Sequence, residues 1–339
     1  MINDHLSEFA GLPVFEYTST KEMSSKKPRY GRDGSVDPLA QLAALRAPDA
    51  YAWRLGVDSY EPEEEFAEYF GDFVKAANTT AVKAMVIGPA GSSDSEEPGT
   101  PARDALLEHA AAFPALKALF IGDITAEESE ISWIHQPDLS PLFAAFPNLA
   151  EFTVRGTGDP YMHEISQLGL NIGRHDALRS LTVQSGGLPA PVARGIDSAE
   201  SPGLENLELW LGIEDYRGDT TPEDLARTLS GEAFPNLNHL GLRNAEESDV
   251  WVRALADAPV VGRLRSLDLS MGTLTDEGAR MLLDAPVFRE LGRLDLEHHY
   301  MSEEMEGRVR DAFTEAGVDV RVGDRQVPNG DRLYPAVTE

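Results

Sequence analysis

The sequence contains no cysteine. Disulfides, iron–sulfur clusters, thiolate nucleophiles and cysteine zinc sites are therefore excluded together. Positive charge is scarce: 29 Lys and Arg stand against 58 Asp and Glu, a formal net charge of −29. Such a surface repels nucleic-acid phosphates and anionic lipid, so neither is expected as a partner. One basic stretch, Lys21 to Arg32, sets five basic residues against Glu22, and its Ser/Lys/Pro/Gly character reads as a loop. No run approaches the ~18 apolar residues of a membrane helix. The start, MINDHLSEFAGLPVF, has neither the cationic nor the apolar region of a secretory signal. A cytoplasmic setting fits these absences, and the Asn78 sequon is then idle.

Catalytic signatures are missing as well. There is no G-x-x-x-x-G-K-[ST], no H-E-x-x-H, no G-x-S-x-G elbow and no G-x-G-x-x-G after a strand. The stretch GPAGSSDSEEPG (Gly88 to Gly99) is glycine-rich, but it is acidic and lacks lysine, so it reads as a solvated loop. No cofactor is expected, and the chain reads as a non-enzyme.

What is present is a repeat. At 339 residues the chain is too long for one ordinary core, which leaves two domains or an array that grows by addition. AFPNLAEFTV at 145–154 returns as AFPNLNHLGL at 233–242. Both belong to an L-x-x-L-x-L frame: Leu116-Leu119-Ile121, Leu149-Phe152-Val154, Leu178-Leu181-Val183, Leu204-Leu207-Leu209, Leu237-Leu240-Leu242, Leu264-Leu267-Leu269 and Leu291-Leu294-Leu296. Successive first positions lie 33, 29, 26, 33, 27 and 27 residues apart. Looser copies stand upstream at Val82-Met85-Ile87 and Ala52-Leu55-Val57, and Val318 to Val322 falls where a tenth strand is due. A period of this length is the mark of a solenoid.

Each frame supplies a strand whose last two apolar positions share one face. Helical patterns fill the gaps. Phe66, Tyr69, Phe70, Phe73 and Val74 form one apolar stripe, with Pro62 and Glu63 to Glu65 placed as its first turn. Thr221 and Thr275 are expected caps of two further helices, the first with Leu225 and Leu229 facing inward, and Pro286 ends the second. The fold expected is an α/β leucine-rich-repeat solenoid, a right-handed horseshoe with parallel strands on the concave face and helices on the convex face. Residues 1–48 are assigned to an N-terminal cap and polar loop, 49–323 to nine or ten repeats, and 324–339 to a C-terminal tail or cap.

The positions beside the inward pair would line the concave face. Successive repeats place Phe120, Thr153, Thr182, Glu208, Gly241, Asp268 and Asp295 between the pair, and Gly122, Arg155, Gln184, Trp210, Arg243, Ser270 and Glu297 after it. Trp210 beside Arg243, with Glu208 and His239 near and Asp268 and Asp295 along the same row, forms an aromatic–arginine patch of the kind that dominates binding energy. The plainer alternative is a tryptophan stacked on its own arginine. A second candidate is the segment Gly122 to Asp138, with Asp123, Glu127, Trp133 and His135, read either as a core edge or as a partner-binding loop. Asp295, Glu297 and His299, with Asp268 on the neighbouring strand, carry metal-ligand chemistry, but in so acidic a chain they read as a polar rim and no metal is expected.

The periods, and LRSLDLSMGTLTDEGARMLL in particular, resemble the ribonuclease-inhibitor class of leucine-rich repeats; that class has asparagine at the ninth frame position, where this chain has Gly272 and His299. AWRLGVD, FIGDITAEESEISWIHQPDLSPL, LENLELWLGIEDY, LSGEAFPNLNHLGLRN, LDLSMGTLTDEGA and HHYMSEEM, across roughly residues 50–325, resemble a bacterial leucine-rich-repeat family of actinobacteria and some enterobacteria. The resemblance implies genes encoded beside radical-SAM, ATP-grasp and phosphatase-like proteins, and assigns no catalytic residues. The expectation is a protein–protein interaction scaffold holding its partner on the concave face. An enzyme accessory, a small-molecule-processing component and a purely structural protein are the alternatives.

Overall fold

The computed structural model describes residues 2–25, 37–91, 99–158 and 167–338. Most of the basic Lys21–Arg32 stretch and of the glycine-rich 88–99 stretch lies outside the described residues. The chain divides into two compact units, Met1–Leu170 and Asn171–Glu339.

In the first unit β1 (Glu8–Phe9) pairs antiparallel with β2 (Leu12–Glu16). Then β3 (Ala52–Leu55), β4 (Ala84–Ile87), β5 (Ala118–Ile121) and β6 (Glu151–Arg155) add to β2 in chain order, each parallel to the one before. The helices are α1 (Thr20–Ser24), α2 (Pro38–Leu45), α3 (Phe66–Ala76), α4 (Thr100–Glu108) and α5 (Ser140–Ala145). The register aligns Trp53, Met85, Leu119 and Phe152 in one row and Leu55, Ile87, Ile121 and Val154 in another. The frame expected at Ala52-Leu55-Val57 is therefore displaced by two residues. Trp53 and Leu55 are the true inward pair, and both are fully buried.

Helix α3 begins at Phe66, with Glu65 as its N-cap, so Pro62, Glu63 and Glu64 precede it rather than forming its first turn. Other contacts hold them there: the Asp58 carboxylate accepts the Tyr60 and Glu61 amides, Ser19 donates to Glu64, and Ser25 donates to Glu63. The apolar stripe is as expected on Phe66, Tyr69, Phe70 and Phe73, all fully buried.

The strands of this unit are apolar on both faces. On the face opposite Trp53 and Leu55, Ala52, Ala84, Val86, Ala118 and Phe120 form a second core with Phe9, flanked by Leu6, Leu12 and Val14. Phe9 meets Phe120 edge to face, ring centroids 5.9 Å apart. The β1–β2 hairpin thus covers the strand face that a repeat array would otherwise leave open.

In the second unit β7 (Ser180–Gln184), β8 (Asn206–Gly212), β9 (His239–Ala245), β10 (Ser266–Asp268), β11 (Arg293–Asp295) and β12 (Asp319–Arg321) are parallel and in chain order. The connections carry α6 (Ala190–Asp197), α7 (Ala226–Ser230), α8 (Ser248–Ala256), α9 (Asp276–Asp284) and α10 (Glu303–Glu315). Thr275 caps α9 through the Glu277 amide, and Pro286 follows its end. Thr221 makes the expected capping contact, but residues 222–225 form a 3-10 turn before α7 starts at Ala226. Leu181, Leu207, Leu240, Leu267, Leu294 and Val320 share one register row.

The repeated FPNL has a structural use beyond ending a helix. The Asn148 amide donates to the Pro114 carbonyl at 3.2 Å, and Asn236 donates to the Pro202 carbonyl at 2.8 Å, in each case 34 residues back. Each asparagine ties its turn to the corresponding turn of the preceding repeat. Where the ribonuclease-inhibitor class has its ninth-position asparagine, other groups join the loops: Ser248 Oγ accepts the Thr273 amide, and Thr273 Oγ1 donates to the Glu246 carbonyl. Residues 334–337 run back across the ends of β9 and β10, where the Ala336 amide donates to Met271 and the Asn244 carboxamide holds both the amide and the carbonyl of Val337. Among the described residues no helix is long and apolar enough to cross a membrane.

Candidate functional site

The second unit keeps its strand face polar. Its β7 reads SLTVQ, alternating half-buried and buried, whereas β4 and β5 read AMVI and ALFI and are buried throughout. Pleat geometry puts the residues between the leucines of β8 to β11 on that face. The register aligns Thr182, Glu208, Gly241, Asp268 and Asp295, and places Trp210 directly beside Arg243. Gly241 is the gap in the row: a Cβ there would stand 2.9 Å from Glu208 Cγ.

These residues form one bonded cluster. The Arg243 guanidinium lies over the Trp210 ring, 5.4 Å from its centroid. It donates to Glu208 Oε1 at 2.9 Å and to Ser270 Oγ at 3.0 Å, and stands 3.4 Å from Asp268. Trp210 Nε1 donates to the same Glu208 oxygen at 2.9 Å. His239 bonds Ser266 through Nδ1 and stands 4.0 Å from Glu208. Burial, together with Arg243 and Arg293, pushes the His239 imidazole below its ordinary range against the opposing pull of Glu208 and Asp268, so it is neutral at pH 7. The indole itself is only 7% exposed. What faces solvent is the half-buried ring of Glu208, His239, Arg243 and Asp268 above it.

Asp295, next in the row, is nearly buried, accepts from Arg293 at 3.2 Å and lies 3.8 Å from Arg321. His299 is wholly buried, with its Nδ1 accepting the Met301 amide, and burial lowers its pKa. Asp268, Asp295, Glu297 and His299 are therefore not gathered into one ligand set, and among the described residues no group of three or more His, Asp or Glu stands ready to hold a metal.

The second candidate segment divides. Asp123 is fully buried, bonded to Arg54 Nε at 2.8 Å, 3.4 Å from His5, and accepts the Leu6 amide at 3.3 Å. Burial alone would raise its pKa; His5 and Arg54 outweigh that and hold it at about 2. Arg54, also buried, reaches Glu16 at 3.0 Å and the Asp123 carbonyl at 3.1 Å. Asp123 is thus the anchor of the loop on the sheet. Glu127 is exposed. Trp133 is 44% exposed, with its ring centroid 6.4 Å from that of His135. Both line a partly enclosed cavity of about 50 Å³ at the ends of β4 and β5. No local pattern in the sequence marks the cavity: Ser59 and Gln136, which also line it, sit 77 residues apart in separate loops.

No family model matches the chain, and no curated protein matches it. Among solved structures it is similar to a Bacteroides fragilis protein determined by a structural genomics consortium. The two share 32% identity with a TM-score of 0.71, over 79% of this chain and 72% of the other.

Proposed function

As the chain belongs to the family of this Bacteroides fragilis protein, we propose from its own surface that it is a leucine-rich-repeat interaction scaffold. It acts without catalysis, in the cytoplasm, and holds another protein on the strand face of the second unit. The observation that supports this reading is the contrast between the strand faces of the two units. One is sealed by Phe9 and its neighbours; the other presents Glu208, Arg243 and Asp268, already joined to one another on parallel strands, with His239 held beside them by Ser266. Groups fixed before binding lose little entropy when a partner arrives. The carboxylates favour a partner surface carrying hydrogen-bond donors or positive charge, which speeds encounter. Proteins of the radical-SAM, ATP-grasp and phosphatase-like classes implied by the sequence resemblance are the first partners to test.

Because Trp210 is buried, Trp210→Ala would open a cavity and confuse binding with folding. The informative variant is Arg243→Met with Asp268→Asn, which leaves the indole in place. A partner retained by the parent protein on an affinity column should be lost from this variant at an unchanged melting temperature. Full retention places the contact elsewhere.

A further inference from the structure

We propose that the cavity of the first unit is a small-ligand site, and that it takes a primary ammonium group on a short aliphatic body. It stands at the C-terminal ends of β4 and β5, where parallel sheets place their ligand crevices. Its volume of about 50 Å³ has room for roughly three or four water-sized groups. That suits the end of a small molecule or side chain.

The polar lining sets the chemistry. Gln136 is 3% exposed and Ser59 4%, yet Gln136 Oε1 and Ser59 Oγ have no hydrogen-bond partner among the described residues. Leaving a buried polar atom unpaired is costly, because it loses water and gains nothing in return, so two lining one cavity mark a place built to be filled. The orientation of the Gln136 amide is fixed. Its Nε2 donates to the Arg155 carbonyl at 2.8 Å, and turning it over would set two oxygens against each other. Oε1 must therefore be the atom left over, and it can only accept. Gly99 lets the wall approach that oxygen closely, since a Cβ there would stand 2.9 Å from it. Glu128, 4% exposed, adds a buried carboxylate: its Oε2 takes the Thr125 amide and hydroxyl and stands 3.5 Å from His5 Nε2, which leaves Oε1 as the oxygen open to a ligand. No Lys or Arg is among the described lining residues. An acceptor oxygen, a carboxylate and a hydroxyl call for N–H donors and a positive charge. The walls, Ile121, Ile134 and Ala102 among them, call for aliphatic carbon, with Trp133 at the exposed edge.

Trp133 also supplies the readout. The other three tryptophans, Trp53, Trp210 and Trp251, are at most 7% exposed. Titrating the full-length protein with n-butylamine should give a saturable change in emission, absent from Trp133→Phe, while isosteric butyrate gives none. Ligand-observed NMR should follow the same binding without the fluorophore. Gln136→Met should weaken butylamine by about tenfold, the scale of one hydrogen bond. Ala102→Leu should abolish binding by filling the cavity, with melting curves showing that both variants fold. A capped Gly-Lys-Gly peptide binding more tightly than butylamine identifies the natural source of the ammonium as a protein side chain; weaker binding identifies a free amine. The proposal is overturned if butylamine shows no saturation at tens of millimolar in either readout. It is equally overturned if butyrate binds as well, or if folded Ala102→Leu binds unchanged.

Discussion

Arg54→Leu should be among the most damaging single substitutions in the first unit. It removes the guanidinium 2.8 Å from Asp123 and leaves that carboxylate fully buried, with the Leu6 amide and His5 the remaining partners of its side chain among the described residues and Arg155 4.0 Å away. Breaking a buried pair from one side costs ~3–5 kcal/mol, because the remaining charge stays out of water with a partner lost. Arg54→Leu combined with Asp123→Leu removes both charges. Glu16, which also bonds Arg54, is partly exposed and regains water, so the double variant should recover most of the loss. Acid gives an independent measure. Asp123 titrates at about 2 in the folded protein against an ordinary 3.8. A depressed carboxylate contributes stability above the unfolded value that is lost as pH falls through the folded one. The contribution is ~2 kcal/mol, present above pH 4 and gone near pH 2. Urea unfolding of the three proteins from pH 7 to pH 2, with hydrogen exchange followed on β3 and β5 peptides, measures both effects. If the single and double variants are equally unstable at pH 7, or if the acid loss persists without Asp123, the buried pair is not what anchors the Gly122–Asp138 segment.

Leu267→Asp should unfold the second unit, since Leu267 is 1% exposed and an unpaired carboxylate there costs several kcal/mol; a parental melting curve would remove it from the core. Asn148→Ala and Asn236→Ala should each lower stability by ~0.5–1.5 kcal/mol through the lost bond to the preceding repeat, measured by urea unfolding. His299, buried with a lowered pKa, should make stability fall as pH drops below 6.5, because the unfolded chain takes up its proton first. His299→Phe should flatten that part of the stability–pH curve.

The strand register was legible because each repeat writes two apolar letters two apart, and a one-residue slip would turn both away from the core. Leu119, Leu207 and Leu294 therefore fell where the sequence placed them. Where the frame failed, at Ala52-Leu55-Val57, the letters fitted but the inward residue was Trp53, a side chain that the leucine pattern does not admit. The sealed face of the first unit also had a signal, the unbroken apolar runs of AMVI and ALFI, which mark strands buried on both sides. The pairing of Trp210 with Arg243 followed from position alone. Its burial did not, because exposure depends on how Arg243 and Glu208 close over the ring. Arg54 and Asp123 meet across 69 residues, and no local pattern announces a contact of that span.

The most direct test of the scaffold reading is site-specific photo-crosslinking in the native host. A photoreactive residue at His239, within the strand-face cluster, is compared with one at Arg280, exposed on α9. One discrete cross-linked partner is expected from position 239, competed away by the unlabelled parent protein, and none from position 280. A partner captured from position 280 and not from 239 would contradict the scaffold reading.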